Sequence, residues 1–253
     1  SILYAFFGYF IPGRWGHPGF TIERIFGYLF LTLDGIWGIA LGVSSSVLIL
    51  FVLFGAFLKS VNIERIFTDI SLSIAGRTEG GPGQVAVLSS ALLGTVSGSA
   101  VANVAATGSF TIPLMIKKGY EPSFAAAVEA VASTGGQIMP PIMGAGAFIM
   151  AELIDSSYKN VAMSAIIPAI LYFISLFFSV HLEAKRKGFK KEDFNVPNII
   201  SILLHDGYLL LPLVVMIVII SFGYSPSFAA LSGIITVIII SFFKKHTRLS
   251  LKT

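Results

Sequence analysis

The sequence predicts an all-α fold of polytopic transmembrane helices, on the basis of its composition and of the length of its uncharged stretches. Hydrophobic residues make up 55% of the 253 residues and charged residues only 12%, whereas soluble domains carry about 25% charged residues. Five long stretches contain no charged side chain: residues 35–58, 80–116, 130–151, 160–182 and 207–243. Each is longer than the roughly 20 residues that a helix needs to cross a bilayer. Continuous apolar runs of this length exclude membrane strands and argue against a cytosolic enzyme.

The first residues lead us to expect that the chain is part of a longer protein. Ser1 is not a Met, and the first residues are apolar without a basic region or cleavage site, so a signal peptide is not predicted. Residues 1–34 are expected to hold the end of an upstream span and a periplasmic interfacial segment with aromatic side chains at headgroup level. The chain is therefore interpreted as one piece of a longer protein.

Residues 35–80 are predicted to form a span followed by an amphipathic arm helix on the cytoplasmic surface. Apolar residues recur there at helical spacing, namely Ile63, Ile66, Phe67, Ile70 and Ile74. Amphipathicity places this helix at an interface but leaves two roles open. It is either a plain linker or a lever attached to the segment that follows.

Basic clusters set the predicted topology, because positively charged loops remain cytoplasmic. One cluster lies at residues 185–191 and another at residues 244–252. Residues 161–253 are accordingly predicted to form three further spans with a cytoplasmic basic loop and tail. The same parity makes residues 82–116 enter and leave on the cytoplasmic face, either as a re-entrant helical hairpin or as two full crossings.

Residues 81–160 form the predicted transport core half, and their hairpin contains a dense tract of small and polar residues. The tract includes Ser97, Gly98, Ser99 and Asn103. One explanation is close helix packing through GxxxG-like spacing. The other is a buried cavity lined by hydroxyl, amide and carbonyl oxygens, which are the hard ligands that an alkali cation prefers. Asn103 helps to separate these explanations, because an amide within a span is costly without a partner or ligand. A single Asn is also consistent with a tie between two helices.

The next span is predicted to be broken near its middle. Two prolines remove backbone donors, and a Gly-Gly pair makes a bend inexpensive. A broken helix beside a polar hairpin is the arrangement by which secondary transporters build ion and substrate sites. The predicted ion-binding and substrate-binding residues of this segment are Ser133, Thr134, Gly135, Gly136, Pro140 and Pro141.

Other functions find less support in the residues. Glu129 is interpreted as snorkelling to the cytoplasmic face or as paired, in preference to catalytic. An intramembrane serine hydrolase using Ser97 or Ser99 needs a histidine at membrane depth, and the four histidines lie at span boundaries or in loops. No enzyme activity, no metal site at these histidines and no nucleic-acid partner is predicted. A non-transporting scaffold or channel subunit remains an alternative.

Two motifs resemble those of a known family. Residues 94–113 read GTVSGSAVANVAATGSFTIP, and residues 128–144 read VEAVASTGGQIMPPIMG. They are similar to the large membrane subunit of the tripartite ATP-independent periplasmic (TRAP) transporters, and the wording is closest to fused permeases. The resemblance covers about residues 30–250. It departs in detail, since many dicarboxylate-type members carry an acidic residue where Asn103 stands and a Ser where Ile142 stands.

The resemblance implies a sodium-coupled, elevator-type importer of small organic anions in a bacterial cytoplasmic (inner) membrane. A periplasmic substrate-binding protein would deliver the anion, and no cofactor other than Na⁺ as coupling ion is implied. The chain would hold half of an inverted repeat, so the remaining half and the small membrane subunit would be its partners within the bilayer. The implied Na⁺ candidates are Ser97, Ser99, Asn103 and Gly135. The transported molecule is not identified by the sequence.

Overall fold

A computed structural model describes residues 2–191 and 196–242, and these residues form helices joined by short connections. The chain divides into two compact units, residues 1–46 and 47–253. The helices of the first unit are α1 (Ile2–Phe7), α2 (Ile22–Leu31) and α3 (Ile39–Val43). Helix α2 begins where the sequence supplies a cap, since the Thr21 hydroxyl accepts from the Arg24 amide.

The second unit contains the helices that build the predicted core. They are α4 (Ile49–Ser60), α5 (Ile63–Ala75), α6 (Gly81–Gly94), α7 (Ala100–Lys118), α8 (Pro122–Gly135), α9 (Ala145–Leu153), α10 (Tyr158–Arg186), α11 (Ile199–Asp206), α12 (Leu211–Ser221) and α13 (Pro226–Ser241). Proline stands in the first turn of α8 and α13, where its missing N–H costs nothing. The predicted all-α fold is confirmed for the described residues.

Three helices among the described residues are long and apolar enough to cross a membrane. They are Ile39–Ser60, which includes α3 and α4, Tyr158–Arg186, which is α10, and Ile199–Ser221, which includes α11 and α12. Helix α13 is a shorter apolar helix. Helices α6 and α7 pack against each other as a helix–turn–helix pair. The two predicted courses of this pair, re-entrant or crossing the bilayer twice, both stay predictions. The predicted basic tail at residues 244–252 lies outside the described residues.

Helix α5 coincides with the predicted amphipathic arm helix, and its position on the cytoplasmic surface stays a prediction. Of its apolar residues, Ile63, Ile66 and Phe67 are buried in the protein, while Ile74 is 58% exposed. The C-terminal half of the helix buries the small residues Ser71 and Ala75 instead. The reason is tertiary packing, because α5 lies against α6 and α11, and small side chains permit the close approach.

Helix α6 lies at the centre of the second unit, against α5, α7, α8 and α10. The buried core around it is rich in small side chains, namely Ala86, Ala91, Ala125, Ala132 and Ala184. At the base of the hairpin, the Tyr120 hydroxyl donates to the Gly80 carbonyl oxygen at 3.3 Å. Burial raises the pKa of Tyr120 to about 12, so this phenol stays a neutral donor at physiological pH. This hydrogen bond thus joins the two ends of the hairpin at its base.

We predict that Gly83→Ala destabilises the fold. The added methyl group would lie 2.6 Å from Val180 Cγ1, and the buried, β-branched Val180 cannot turn aside. The expected loss is about 1–3 kcal/mol, measured as a lower midpoint of thermal unfolding of the full-length permease in detergent. Gly207→Ala is the control, because its nearest contact is an ordinary 3.8 Å. Equal midpoints for the two variants would contradict this account of the core.

Candidate functional site

The hairpin tip is a short connection between α6 and α7. Helix α6 ends at Gly94, and α7 begins at Ala100. The Ser97 amide still bonds to the Leu93 carbonyl oxygen at 2.9 Å. Ser99 caps α7, because its hydroxyl accepts from the Ala102 amide at 3.3 Å. The tip therefore presents the C-terminal end of one helix and the N-terminal end of the next.

The predicted break in the following helix is confirmed. Helix α8 ends at Gly135, a short 3₁₀ turn follows, and α9 begins only at Ala145. The Pro140–Pro141 peptide bond is cis. The Gly144 amide bonds to the Gln137 carbonyl oxygen at 2.7 Å and closes the irregular segment.

The glycines of the break play a different part from the predicted one. Gly135 and Gly136 keep right-handed helical dihedral angles, so neither supplies the bend. The residue in the left-handed region is Met143, with φ of 57°. Gly135 instead makes room for α10, since a methyl group there would lie 2.5 Å from the Tyr172 ring. The expectation that flexible glycines make the bend is therefore wrong, because packing requires them.

The hairpin tip and the broken segment touch backbone to backbone. A methyl group at Gly94 would lie 2.6 Å from Gly136 Cα, and one at Gly98 would lie 1.7 Å from the Met143 carbonyl oxygen. A methyl group at Gly136 would lie 3.7 Å from the Ser97 carbonyl oxygen. Glycine at these positions thus lets the backbone of the hairpin tip lie against the backbone of the broken segment.

Asn103 lies at the same contact. Its side chain is fully buried, and its Nδ2 group donates to the Ser90 carbonyl oxygen at 3.0 Å. The same nitrogen is 3.0 Å from where a methyl group at Gly136 would lie. The amide oxygen lies 3.5 Å from the Thr107 hydroxyl. The structure therefore brings the Asn103 amide together with Gly136 and the Ser97 carbonyl oxygen.

Other predicted site residues lie apart from this contact. Ser133 is buried, but its hydroxyl donates to Glu129 at 3.3 Å. Thr134 is exposed and bonds to the Ala130 carbonyl oxygen, and Gly135 faces α10. Pro140 and Pro141 are half-buried in the irregular segment. The binding roles of all these residues stay predictions, but only some share one location.

Glu129 is interpreted from the sequence as snorkelling or as paired, and the structure separates these two alternatives. Snorkelling is wrong, because the side chain has no exposed surface. Its carboxylate instead accepts hydrogen bonds from hydroxyl groups on three helices, contributed by Ser90, Thr107, Thr111 and Ser133. A signal was available, since Thr107 and Thr111 are four residues apart, as are Glu129 and Ser133. Residues with that spacing share a helix face.

Tyr158 is a second residue that the sequence did not single out. It is buried at the start of α10, and its hydroxyl lies 2.7 Å from the Pro141 carbonyl oxygen and 2.6 Å from that of Ile142. Its ring stacks on Phe148 of α9, with centroids 4.3 Å apart. Tyr158 thereby holds the irregular segment in place. No local pattern predicts this contact, because it joins residues 16 and 17 positions apart.

A large cavity of about 1310 Å³ adjoins the contact between hairpin and broken helix. Its lining combines α4, the hairpin tip, the irregular segment and the start of α10, represented by Phe51, Ser97, Gln137, Gly144 and Asn160. Within residues 2–191 and 196–242, no cluster of three or more His, Cys, Asp or Glu residues could hold a metal ion. The predicted Na⁺ ligands Ser97, Ser99, Asn103 and Gly135 offer only neutral oxygen atoms.

These features define a helical membrane protein whose core pairs a polar hairpin with an interrupted helix. The family model described as "Tripartite ATP-independent periplasmic transporter, DctM component" matches residues 1–253. The chain belongs to this family, whose members are transporter permeases and not enzymes. The predicted resemblance is confirmed, and the serine hydrolase alternative has no support.

Several curated proteins are similar to this chain. The C4-dicarboxylate TRAP transporter large permease protein DctM of Pseudomonas aeruginosa is 30% identical over 137 residues, which are 54% of this chain and 32% of that protein. The isethionate TRAP transporter permease protein DctMQ of Oleidesulfovibrio alaskensis is 29% identical over 143 residues, 56% of this chain and 22% of that protein. The 2,3-diketo-L-gulonate TRAP transporter large permease protein YiaN of Escherichia coli is 28% identical over 143 residues, 56% and 33%. The matched stretches thus span a third or less of these relatives.

We predict that Gly98→Ala separates the hairpin tip from the broken segment. A methyl group cannot share space with the Met143 carbonyl oxygen at 1.7 Å, so the backbone must move. Substrate uptake by the full-length permease in proteoliposomes should be lost at normal expression. Gly207→Ala is the control, because its added methyl group makes only an ordinary 3.8 Å contact and lies outside the residues that line the cavity. Full activity of Gly98→Ala would show that the close approach is not needed.

We also predict that Tyr158→Phe loosens the irregular segment. The variant removes a buried hydroxyl that serves the Pro141 and Ile142 carbonyl groups, at an expected cost of about 1–2 kcal/mol. Tyr172→Phe is the control, since it removes a hydrogen bond to the Val131 carbonyl oxygen of 2.7 Å at a more exposed position. Thermal unfolding of both variants measures the difference. A Tyr158→Phe midpoint equal to that of wild type would contradict the role of the Tyr158 hydroxyl in holding the irregular segment.

Proposed function

We propose that the chain forms half of the transport core of a sodium-coupled permease that imports small organic anions. The observation that carries this proposal is the contact between hairpin tip and broken helix, where Asn103, Gly136 and the Ser97 carbonyl group meet. Its relatives' names refer to C4-dicarboxylates, isethionate and 2,3-diketo-L-gulonate, which are all small organic anions. The particular anion for this chain is not specified by these features.

The helix ends at the contact suit both a cation and an anion. Helices α6 and α8 end there at Gly94 and Gly135, so their last carbonyl groups carry partial negative charge. Helices α7 and α9 begin there at Ala100 and Ala145, so their first amide groups carry partial positive charge. Carbonyl ends can hold Na⁺, and amide ends can hold a carboxylate or sulfonate, in a midplane site of the kind that secondary transporters use.

The remaining parts of the machinery are proposed from family membership. The hairpin would be re-entrant and would move with the broken helix as an elevator-type core within the inner membrane. The second half of an inverted repeat would complete the site from the side of the cavity. A periplasmic binding protein would deliver the anion, and a small membrane subunit would complete the permease. Under this proposal, Ser97, Ser99, Asn103 and Gly135 are the candidate Na⁺ ligands.

A sodium titration of uptake tests the proposal. The full-length permease is placed in proteoliposomes with its binding protein and a panel of organic acids. Uptake should depend on Na⁺, and Asn103→Ala should raise the Na⁺ concentration for half-maximal uptake by on the order of tenfold or abolish uptake, because a buried amide partner is lost. Ser109→Ala is the control. This residue of the same helix is exposed, and its hydroxyl donates to the Ala106 carbonyl oxygen of that helix.

Either of two results would contradict the proposal. Uptake that does not depend on Na⁺ would contradict sodium coupling, and proton coupling would then be tested. A wild type without any uptake of the panel, at normal expression and with its binding protein present, would favour the scaffold alternative.

A further inference from the structure

Glu129 is a fully buried carboxyl group in the core of the second unit. Its Oε1 atom accepts from Ser90 of α6 at 3.2 Å, from Thr107 of α7 and from Ser133 of its own helix at 3.3 Å. Its Oε2 atom accepts from Thr111 of α7. Both carboxylate oxygens are therefore held by neutral hydroxyl groups from three helices.

The arrangement suits an ionised carboxylate, which only accepts hydrogen bonds. Ser90 and Ser133 direct their hydroxyl groups at Oε1. The hydroxyl groups of Thr107 and Thr111 each have a second possible acceptor besides the carboxylate. It is the carbonyl oxygen one turn earlier in α7, at 2.9 Å for Thr107 and 3.0 Å for Thr111. The cluster can thus supply two to four donors to a negative charge. It stabilises the charge without neutralising it.

No cation offsets this charge in the part of the chain that the structure describes. The ion pairs there include Lys59–Glu64, Arg65–Asp69 and Glu183–Arg186, and none of these involves Glu129. Helix α6 has no charged residue, and the cations of α7, Lys117 and Lys118, follow Thr111 by six residues or more, about 9 Å along the helix. Helix α10 meets α8 through the rings of Tyr172 and Phe173. An unpaired carboxylate in such a place is costly and typically marks function.

The candidate cation site lies one side chain away. The Thr107 hydroxyl contacts the Glu129 carboxylate and lies 3.5 Å from the Asn103 amide oxygen. The four candidate Na⁺ ligands contribute only hydroxyl, amide and carbonyl oxygens, so none of them carries a negative charge. A cation there would lose its water without gaining a counter-charge from its own ligands.

We propose that Glu129 is the counter-charge of the coupling cation. It acts through space and through Thr107, as a positioning residue outside the coordination shell. The proposal rests on the proposed sodium coupling and adds the residue that sets the affinity. Occupancy by Na⁺ balances the buried charge, and an empty site leaves it unbalanced. For unit charges within about 10 Å at an effective dielectric constant of about 20, this attraction changes affinity by on the order of tenfold.

The test compares Glu129→Gln with wild type in the sodium titration of uptake. The amide of Gln keeps the shape and one acceptor oxygen but lacks the charge. The Na⁺ concentration for half-maximal uptake should rise on the order of tenfold, while the maximal rate at saturating Na⁺ is retained. Glu129→Asp retains the charge and should stay close to wild type. Glu121→Gln removes an exposed charge just before α8 and should change neither parameter.

A merely structural role predicts a different result, namely a lower maximal rate or expression with unchanged half-saturation. If Glu129→Gln fails to fold, Glu129→Met is the second neutral variant, in which the threonine hydroxyls return to their backbone carbonyl groups. The role of Glu129 is overturned if wild-type uptake depends on Na⁺ but a folded neutral variant has the same Na⁺ concentration for half-maximal uptake. The proposed function would still stand in that case. Wild-type uptake that ignores Na⁺ overturns the proposed function and this inference with it.

Discussion

The close approach of the hairpin tip to the broken helix is the constraint on which the site depends. Interrupted helices leave carbonyl and amide groups without partners, and such ends are tolerated inside a membrane only where they are buried in protein or line a cavity. Gly94, Gly98 and Gly136 satisfy this condition, because the missing side chains let one backbone lie against another. Near this contact, Asn103 ties the two helices of the hairpin together, and Tyr158 holds the irregular segment of the broken helix. The polar ends therefore meet at one location with fixed geometry.

The polar cluster around Glu129 connects this contact to the rest of the core. Its hydroxyl partners belong to α6, α7 and α8, so one carboxylate ties the hairpin to the first half of the broken helix. Helix α6, rich in small residues, brings these helices close enough for the cluster to form. Membership in the TRAP large permease family gives this arrangement its context, since a permease needs a rigid core that carries its ligand site.

Much of this fold could be predicted from the sequence, because its signals are local. Uncharged stretches predict spans, proline and serine mark the helix starts, and Pro140 and Pro141 mark the break. The same rules could not predict three other features. These are the buried face of α5, the environment of Glu129 and the hydrogen bonds of Tyr158 to the irregular segment. Each depends on which helices become neighbours, and periodicity in one helix does not contain that information. Gly135 and Gly136 show the same limit, since packing and not flexibility explains them.

The most direct measurement is the sodium dependence of thermal stability of the full-length permease in detergent, compared with choline at the same ionic strength. A ligand that binds only the folded state raises the midpoint of unfolding. The account predicts a higher midpoint in Na⁺ than in choline for wild type, and no such difference for Asn103→Ala. Equal midpoints in Na⁺ and choline for wild type, or an unchanged sodium effect in Asn103→Ala, would contradict the claim that the hairpin tip and the broken helix form a sodium site.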